Sequence, residues 1–144
     1  MMRTAEGEAL TSLMLETFRL NGALLAIGNQ LTKPFGLTSA RWQVLGPIAK
    51  ELLTVAQIAR RMGLARQGVQ RIVNDLQGLG LVVLEPNIDH KRAPLVALTE
   101  AGKGIMAEVD KMQAEWVNKL TDGLSERQIK QASKVVETVR KSIE

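Results

Sequence analysis

Apolar residues between Leu10 and Leu31 recur as Leu10, Leu13, Leu20, Leu24, Ile27 and Leu31, three and four apart once Thr17 takes one slot. That spacing holds one stripe on one side of a helix and predicts a heptad-like seam. Met14, Phe18 and Leu25 widen the stripe, so the helix has one face for its own domain and another for a different surface. Lys33-Pro34-Phe35-Gly36 then breaks the pattern.

Thr38 can cap a second, short helix carrying Trp42, Val44 and Leu45, which Gly46-Pro47 is expected to disrupt or kink. After Thr54, the positions Val55, Ile58, Ala59 and Met62 share one helical face, and Gly63 ends it. A fourth segment from Arg66 to Leu79 places Val69, Ile72, Val73 and Leu76 at i, i+3, i+4 and i+7, with Gly80 as its stop. Two short helices separated by Gly63-Leu64-Ala65 read as a helix-turn-helix.

Leu81-Val82-Val83-Leu84 and Leu95-Val96-Ala97-Leu98 are strand candidates joined by the polar, basic loop from Glu85 to Pro94. A hairpin after a helix-turn-helix is a wing. Thr99 begins a long helix with Ile105, Val109, Met112, Trp116 and Leu120 on one stripe, closed by Asp122-Gly123. Ser125 followed by Gln128 is a capping-box pattern for a last helix. There Ile129, Ala132, Val136, Val139 and Ile143 hold 3,4 spacing, the narrow seam of helix pairing, between subunits or within one.

The pattern therefore predicts a mainly α protein with a small β-hairpin wing. Residues 37–98 form a winged helix-turn-helix, and residues 1–36 and 99–144 supply N- and C-terminal dimerisation helices. The 144-residue chain is 45% apolar and 24% charged, the balance of a folded protein. Its net charge of +4 favours a polyanionic partner.

It contains no cysteine, which removes disulfides, zinc–thiolate sites and thiol redox sensing. No apolar run approaches the roughly 20 residues of a membrane span, and Met1 to Glu8 lacks a basic-then-apolar leader pattern. A soluble, cytoplasmic protein without a membrane partner is expected.

With Val69, Ile72, Val73 and Leu76 turned inward, Gln67, Gln70, Arg71 and Asn74 fall on the outer side of the fourth helix, flanked by Arg66. Arginine pairs with guanine O6 and N7, and glutamine or asparagine with adenine N6 and N7, so this face suits major-groove edges. The same row on an isolated helix would read as a solvated surface; the preceding helix and turn favour DNA.

Gly68 sits near the start of this helix, where glycine costs roughly 1 kcal/mol relative to alanine. Close approach to DNA or to the preceding helix would account for it, as would simple tolerance. In the loop Asn87-Ile88-Asp89-His90-Lys91-Arg92, Lys91 and Arg92 are placed to enter a minor groove or clamp phosphates.

His90 is the only histidine and has only Asp89 beside it as a further ligand, so no metal site is expected. No nucleophile–base pair, phosphate-binding glycine loop or spaced carboxylate pair stands out, and neither catalysis nor a cofactor is expected. A winged-helix module used only for protein association is the alternative to DNA binding, and it calls for an apolar or acidic outer face on the fourth helix.

Leu53 to Leu64, the run from Val69 through Asp75-Leu76 to Leu79-Gly80-Leu81, and Arg92-Ala93-Pro94-Leu95-Val96-Ala97-Leu98-Thr99-Glu100-Ala101-Gly102 resemble the MarR family of winged helix-turn-helix regulators. The resemblance extends to Ala40-Arg41-Trp42-Gln43-Val44-Leu45 and the long terminal helices. It implies a homodimer with interlocked terminal helices and two winged lobes that read a palindromic site. The implied role is sequence-specific transcriptional regulation, as a repressor.

Arg66, Gln67, Gln70 and Arg71 are the implied recognition-helix contacts, and Arg92 is the wing arginine. The resemblance also implies a small aromatic or phenolic effector that weakens DNA binding, with Phe35 and Trp42 near its pocket; core packing is the competing role for both. Ala65 departs from the Ser or Thr common at that position, which removes a helix cap. His90 departs from the wing aspartate that pairs with an arginine, leaving Asp89 as a candidate to brace the wing.

Overall fold

The computed structural model describes residues 1–144. Contacts divide the chain into two units, Met1–Val109 and Asp110–Glu144.

In the first unit, helix α1 spans Ala5–Thr32. It begins earlier than the apolar seam because the Thr4 hydroxyl accepts from the Gly7 N–H at 3.0 Å and caps the first turn. A 3-10 turn at Lys33–Phe35 follows and closes on Gly36, whose φ of 72° is left-handed. Helix α2 spans Ser39–Ile48 and is capped by Thr38.

The junction of α1 and α2 is tight and polar. Ser39 donates from Oγ to the Leu25 carbonyl at 2.6 Å and from its backbone N–H to Asn29 Oδ1 at 2.8 Å. A side chain at Gly28 would overlap the Ser39 hydroxyl, so the glycine permits the approach.

Of the disruption or kink expected at Gly46-Pro47, a break at the pair itself is not seen: α2 includes both residues and ends one residue later, at Ile48. Pro47 lies in the last turn, where its missing N–H forfeits a single helical bond. Val44, Leu45 and Ile48 are buried on either side of it and hold the turn in place.

Helix α3 spans Val55–Met62 and helix α4 spans Arg66–Gly78. Strands β1 (Leu53–Thr54), β2 (Val82–Glu85) and β3 (Leu95–Leu98) form one antiparallel sheet in the order β1-β3-β2. Val82 pairs with Leu98 and Glu85 with Leu95, while Leu53 pairs with Val96 across the other edge. The hairpin thus stands at the two expected segments, with its first strand shifted one residue later, and it gains a third strand.

Val44, Leu45, Ile58, Val69, Val73, Leu76, Val96 and Val109 are fully buried and form the core of this unit. Thr99 links the end of the hairpin to helix α5 (Glu100–Leu120). Its hydroxyl donates to the Gly80 carbonyl at 2.6 Å and accepts from the Gly102 N–H at 3.1 Å. At Gly102 an added Cβ would overlap the Leu81 carbonyl, so the first turn of α5 lies directly on the chain entering β2.

In the second unit the remainder of α5 ends at Leu120, before a turn in which Gly123 has φ 81°. Helix α6 spans Glu126–Ile143. The expected capping box is present: Ser125 Oγ accepts from the Gln128 N–H at 3.1 Å, and Gln128 Oε1 accepts from the Ser125 N–H at 2.9 Å. Lys141 lies 2.7 Å from Glu137 and, by hydrogen bonding and charge, holds that carboxyl below its ordinary range. No helix is long and apolar enough to cross a membrane.

Candidate nucleic-acid interface

The helix-turn-helix is fixed by local chemistry at each end of α3. Thr54 Oγ1 accepts from the Gln57 N–H at 3.2 Å, and Gln57 Oε1 accepts from the Thr54 N–H at 2.8 Å. This capping box satisfies two otherwise orphaned donors. At the other end Gly63 takes φ 66°, and the Leu64 N–H reaches back to the Ala59 carbonyl at 2.8 Å. The left-handed glycine reverses the chain and sends it into α4.

Val69, Val73 and Leu76 are fully buried, and Ile72 is half-buried at the edge of the same face. That seating turns Arg66, Gln67, Gln70, Arg71 and Asn74 to the solvent, where all five are exposed. Gln70 Nε2 donates to Asn74 Oδ1 at 3.0 Å. One amide thus orients the other, and Gln70 Oε1 and Asn74 Nδ2 remain available to an outside partner. These five carry no carboxylate and no apolar side chain, and the exposed Asp75 beside Asn74 adds a single acid to the face, so its balance stays polar and basic rather than apolar or acidic.

Ala65 at the start of α4 gives no side-chain cap, in line with its departure from Ser or Thr. A Cβ at Gly68 would meet nothing within 4 Å, so contact with α3 is not the reason for this glycine.

The wing is braced by an amide. Asn87 Nδ2 donates to the Ala93 carbonyl at 2.9 Å, and Asn87 Oδ1 accepts from the Asp89 N–H at 3.2 Å. The His90 N–H also reaches the Asn87 carbonyl at 3.2 Å, and the Ala93 N–H reaches the His90 carbonyl at 3.0 Å. Neither Asp89 nor His90 takes part in an ion pair. The side chain that ties the loop together is Asn87, for which the Asn-x-Asp pattern of an Asx turn was the available signal.

Arg66, Gln67 and Gln70 of α4 and Arg92 of the wing line a common cleft of 250 Å³. Thr54, Val55, Ala56, Leu84, Ala93 and Pro94 complete its lining, none of which the sequence pattern marked as part of the site. Arg71 and Asn74 lie farther along α4, and Lys91 lies toward the wing tip; all three are exposed but outside this cleft. Donors from the helix and from the wing therefore converge on one concavity bounded by two protruding elements. A groove-bearing polyanion matches that arrangement.

Phe35 and Trp42 are both half-buried, one in the 3-10 turn and the other in α2. Neither lines the cleft between α4 and the wing. No cluster of three or more His, Asp or Glu side chains is arranged to hold a metal ion.

A model of the MarR family matches residues 35–93, the segment that builds this interface. An uncharacterised protein of Mycobacterium tuberculosis, Rv2011c, is 38% identical over 117 residues, covering 81% of this chain and 82% of its own. The HTH-type transcriptional regulator TcaR of Staphylococcus aureus is 26% identical over 133 residues, covering 90% and 88%.

Among solved structures, a mutant MarR of Escherichia coli complexed with operator DNA superposes with a TM-score of 0.76 at 21% identity, over 91% of this chain and 95% of that one. CouR of Rhodococcus jostii RHA1, bound to p-coumaroyl-CoA, gives a TM-score of 0.76 at 22% identity, over 84% and 86%. The chain belongs to the MarR family of winged-helix, DNA-binding transcriptional regulators.

Proposed function

We propose that this protein is a homodimeric repressor that binds palindromic operators in a sequence-specific manner and is released by a small aromatic or phenolic ligand. The observation that carries the reading is the convergence of Arg66, Gln67, Gln70 and Arg92 on one cleft, beside the exposed Arg71 and Asn74. Helix α4 enters a major groove, where Arg66 and Arg71 seek guanine and Gln67, Gln70 and Asn74 seek adenine. Lys91 and Arg92 engage the adjoining phosphates or minor groove and fix the register of the helix.

The terminal helices serve as the dimerisation region, residues 1–36 and 99–144. In α1, Met14, Leu15, Phe18, Leu20 and Leu24 are exposed, and in α6 Ile129, Val135, Val136 and Ile143 are exposed. Apolar stripes of this length, open to water in one chain, suit burial by a second copy. Two recognition helices related by a two-fold axis then require half-site centres about 34–36 Å apart or a near multiple.

Phe35 and Trp42 are proposed effector contacts; binding of p-coumaroyl-CoA by CouR, a structural relative, supports an aromatic ligand class. The work of the protein is binding, with no catalytic step.

Selection of duplexes from random-sequence DNA tests the reading. The expected result is enrichment of an inverted repeat, and loss of that enrichment in an Arg66→Ala, Gln70→Ala double variant that folds normally. Recovery of no enriched sequence from the dimeric wild-type protein would overturn it.

A further inference from the structure

The most exposed large apolar side chain of the winged lobe stands at the wing tip. Ile88 is 97% exposed, against 53% for Leu79, 47% for Leu52 and 43% for Val83. It contributes nothing to the core, and it occupies a position where turn chemistry does not call for it. The His90 N–H bonds to the Asn87 carbonyl, which makes Asn87 to His90 a β-turn with Ile88 as its first central residue. β-Branched apolar residues are poor turn formers, and proline or a short polar residue is the usual choice there.

The turn is nonetheless well hydrogen-bonded. Asn87 bonds to Asp89 and Ala93, so the tip holds Ile88 outward on a hydrogen-bonded frame. His90, Lys91 and Arg92 follow it directly, and Arg92 reaches the cleft beside α4. The apolar tip is therefore embedded in the donor-rich segment that is proposed to face nucleic acid.

We infer that Ile88 is a minor-groove wedge: as Lys91 and Arg92 engage the backbone, its side chain packs on deoxyribose faces and the edge of a base step beneath the wing. Apolar side chains inserted at such steps partly unstack them and widen the groove. A wedge of this kind reads deformability, so it favours flexible pyrimidine–purine steps at the operator flank without a hydrogen bond to any base. The inference rests on DNA binding by the winged lobe and adds to it an apolar source of specificity outside the α4 footprint.

The two contributions separate by salt. Pairing with phosphates releases counterions and sets the slope of log K against log salt, whereas apolar packing does not. Titration of wild type, Ile88→Ala and Arg92→Ala against a duplex selected by the wild-type protein is therefore diagnostic. Ile88→Ala should weaken binding about tenfold with an unchanged slope, since part of one isoleucine surface is no longer buried; Arg92→Ala should weaken binding and flatten the slope.

A 2-aminopurine placed at successive positions of the operator flank should brighten on binding of wild type and less on binding of Ile88→Ala. Equal affinity, slope and fluorescence for wild type and Ile88→Ala would overturn the wedge while leaving the regulator reading intact. A change in sedimentation of Ile88→Ala with unchanged DNA binding would overturn it too, by giving Ile88 to a second copy. Failure of the wild-type protein to select any duplex would bring down both.

Discussion

At the scale of single residues, the outward row of α4 was legible because three buried residues at helical spacing fix the direction of every other side chain on that helix. The wing was legible only in part. Its basic residues could be read from composition, but the role of Asn87 depends on where the Ala93 carbonyl falls, and a turn of irregular backbone has no period from which to read that.

Arg92→Ala should leave the thermal transition unchanged and lower DNA affinity, with the salt slope reduced by about one for each phosphate no longer neutralised. A normal slope in that variant would place Arg92 off the DNA. Gly68→Ala should raise stability by about 1 kcal/mol in chemical denaturation, because its Cβ enters open space and alanine is the better helix former. No gain would mean that the start of α4 is constrained in a way its neighbours do not reveal.

Among the elements, each α-helix was visible in the sequence, and several helix ends are set by residues with specific jobs: Thr4, Thr38, Thr54 and Ser125 as caps, Gly63 as a left-handed stop. Strand β1 was not visible. Leu53–Thr54 is too short to show a period, and it becomes a strand only by pairing with Val96 and Leu95, residues remote in sequence. The exact end of α2 was hidden for a related reason: local rules give the cost of proline in a helix, while the burial of Val44, Leu45 and Ile48 around Pro47 is tertiary.

Thr54 joins these elements, since it ends β1, caps α3 and lines the cleft. Thr54→Ala should cost about 1 kcal/mol of stability through the missing cap. Hydrogen exchange should show the added opening at the start of α3 before it appears in α4; uniform loss of protection throughout the unit would argue against a local capping role. Gly102→Ala should be more damaging, roughly 1–3 kcal/mol, since its methyl group would displace the Leu81 carbonyl at the entrance to β2.

Across the whole molecule, the exposed stripes of α1 and α6 and the polar cleft of the winged lobe differ in chemistry, in keeping with the two proposed partners, a second copy of the chain and DNA. The 3,4 spacing in the last helix already marked that stripe, but whether the same face pairs within a chain or between chains is not encoded in periodicity. Its exposure along α6 favours pairing between chains.

Val136→Glu should therefore shift sedimentation from dimer toward monomer and lower operator affinity, as one half-site binds without its mate. Retention of the dimer would remove α6 from the interface. An effector would act on the same assembly. In a Trp116→Phe background Trp42 is the only tryptophan, and its fluorescence should respond to aromatic acids that also release DNA.

If α4 and the wing of a dimer read DNA together, hydroxyl-radical cleavage of a duplex selected by the wild-type protein will show it strand by strand. Two protected tracts related by a two-fold axis are predicted, centred about 34–36 Å apart or a near multiple, with flanking minor-groove protection that disappears in Arg92→Ala. A single unsymmetrical tract, or protection unchanged by loss of both Gln70 and Arg92, would contradict joint reading by helix and wing.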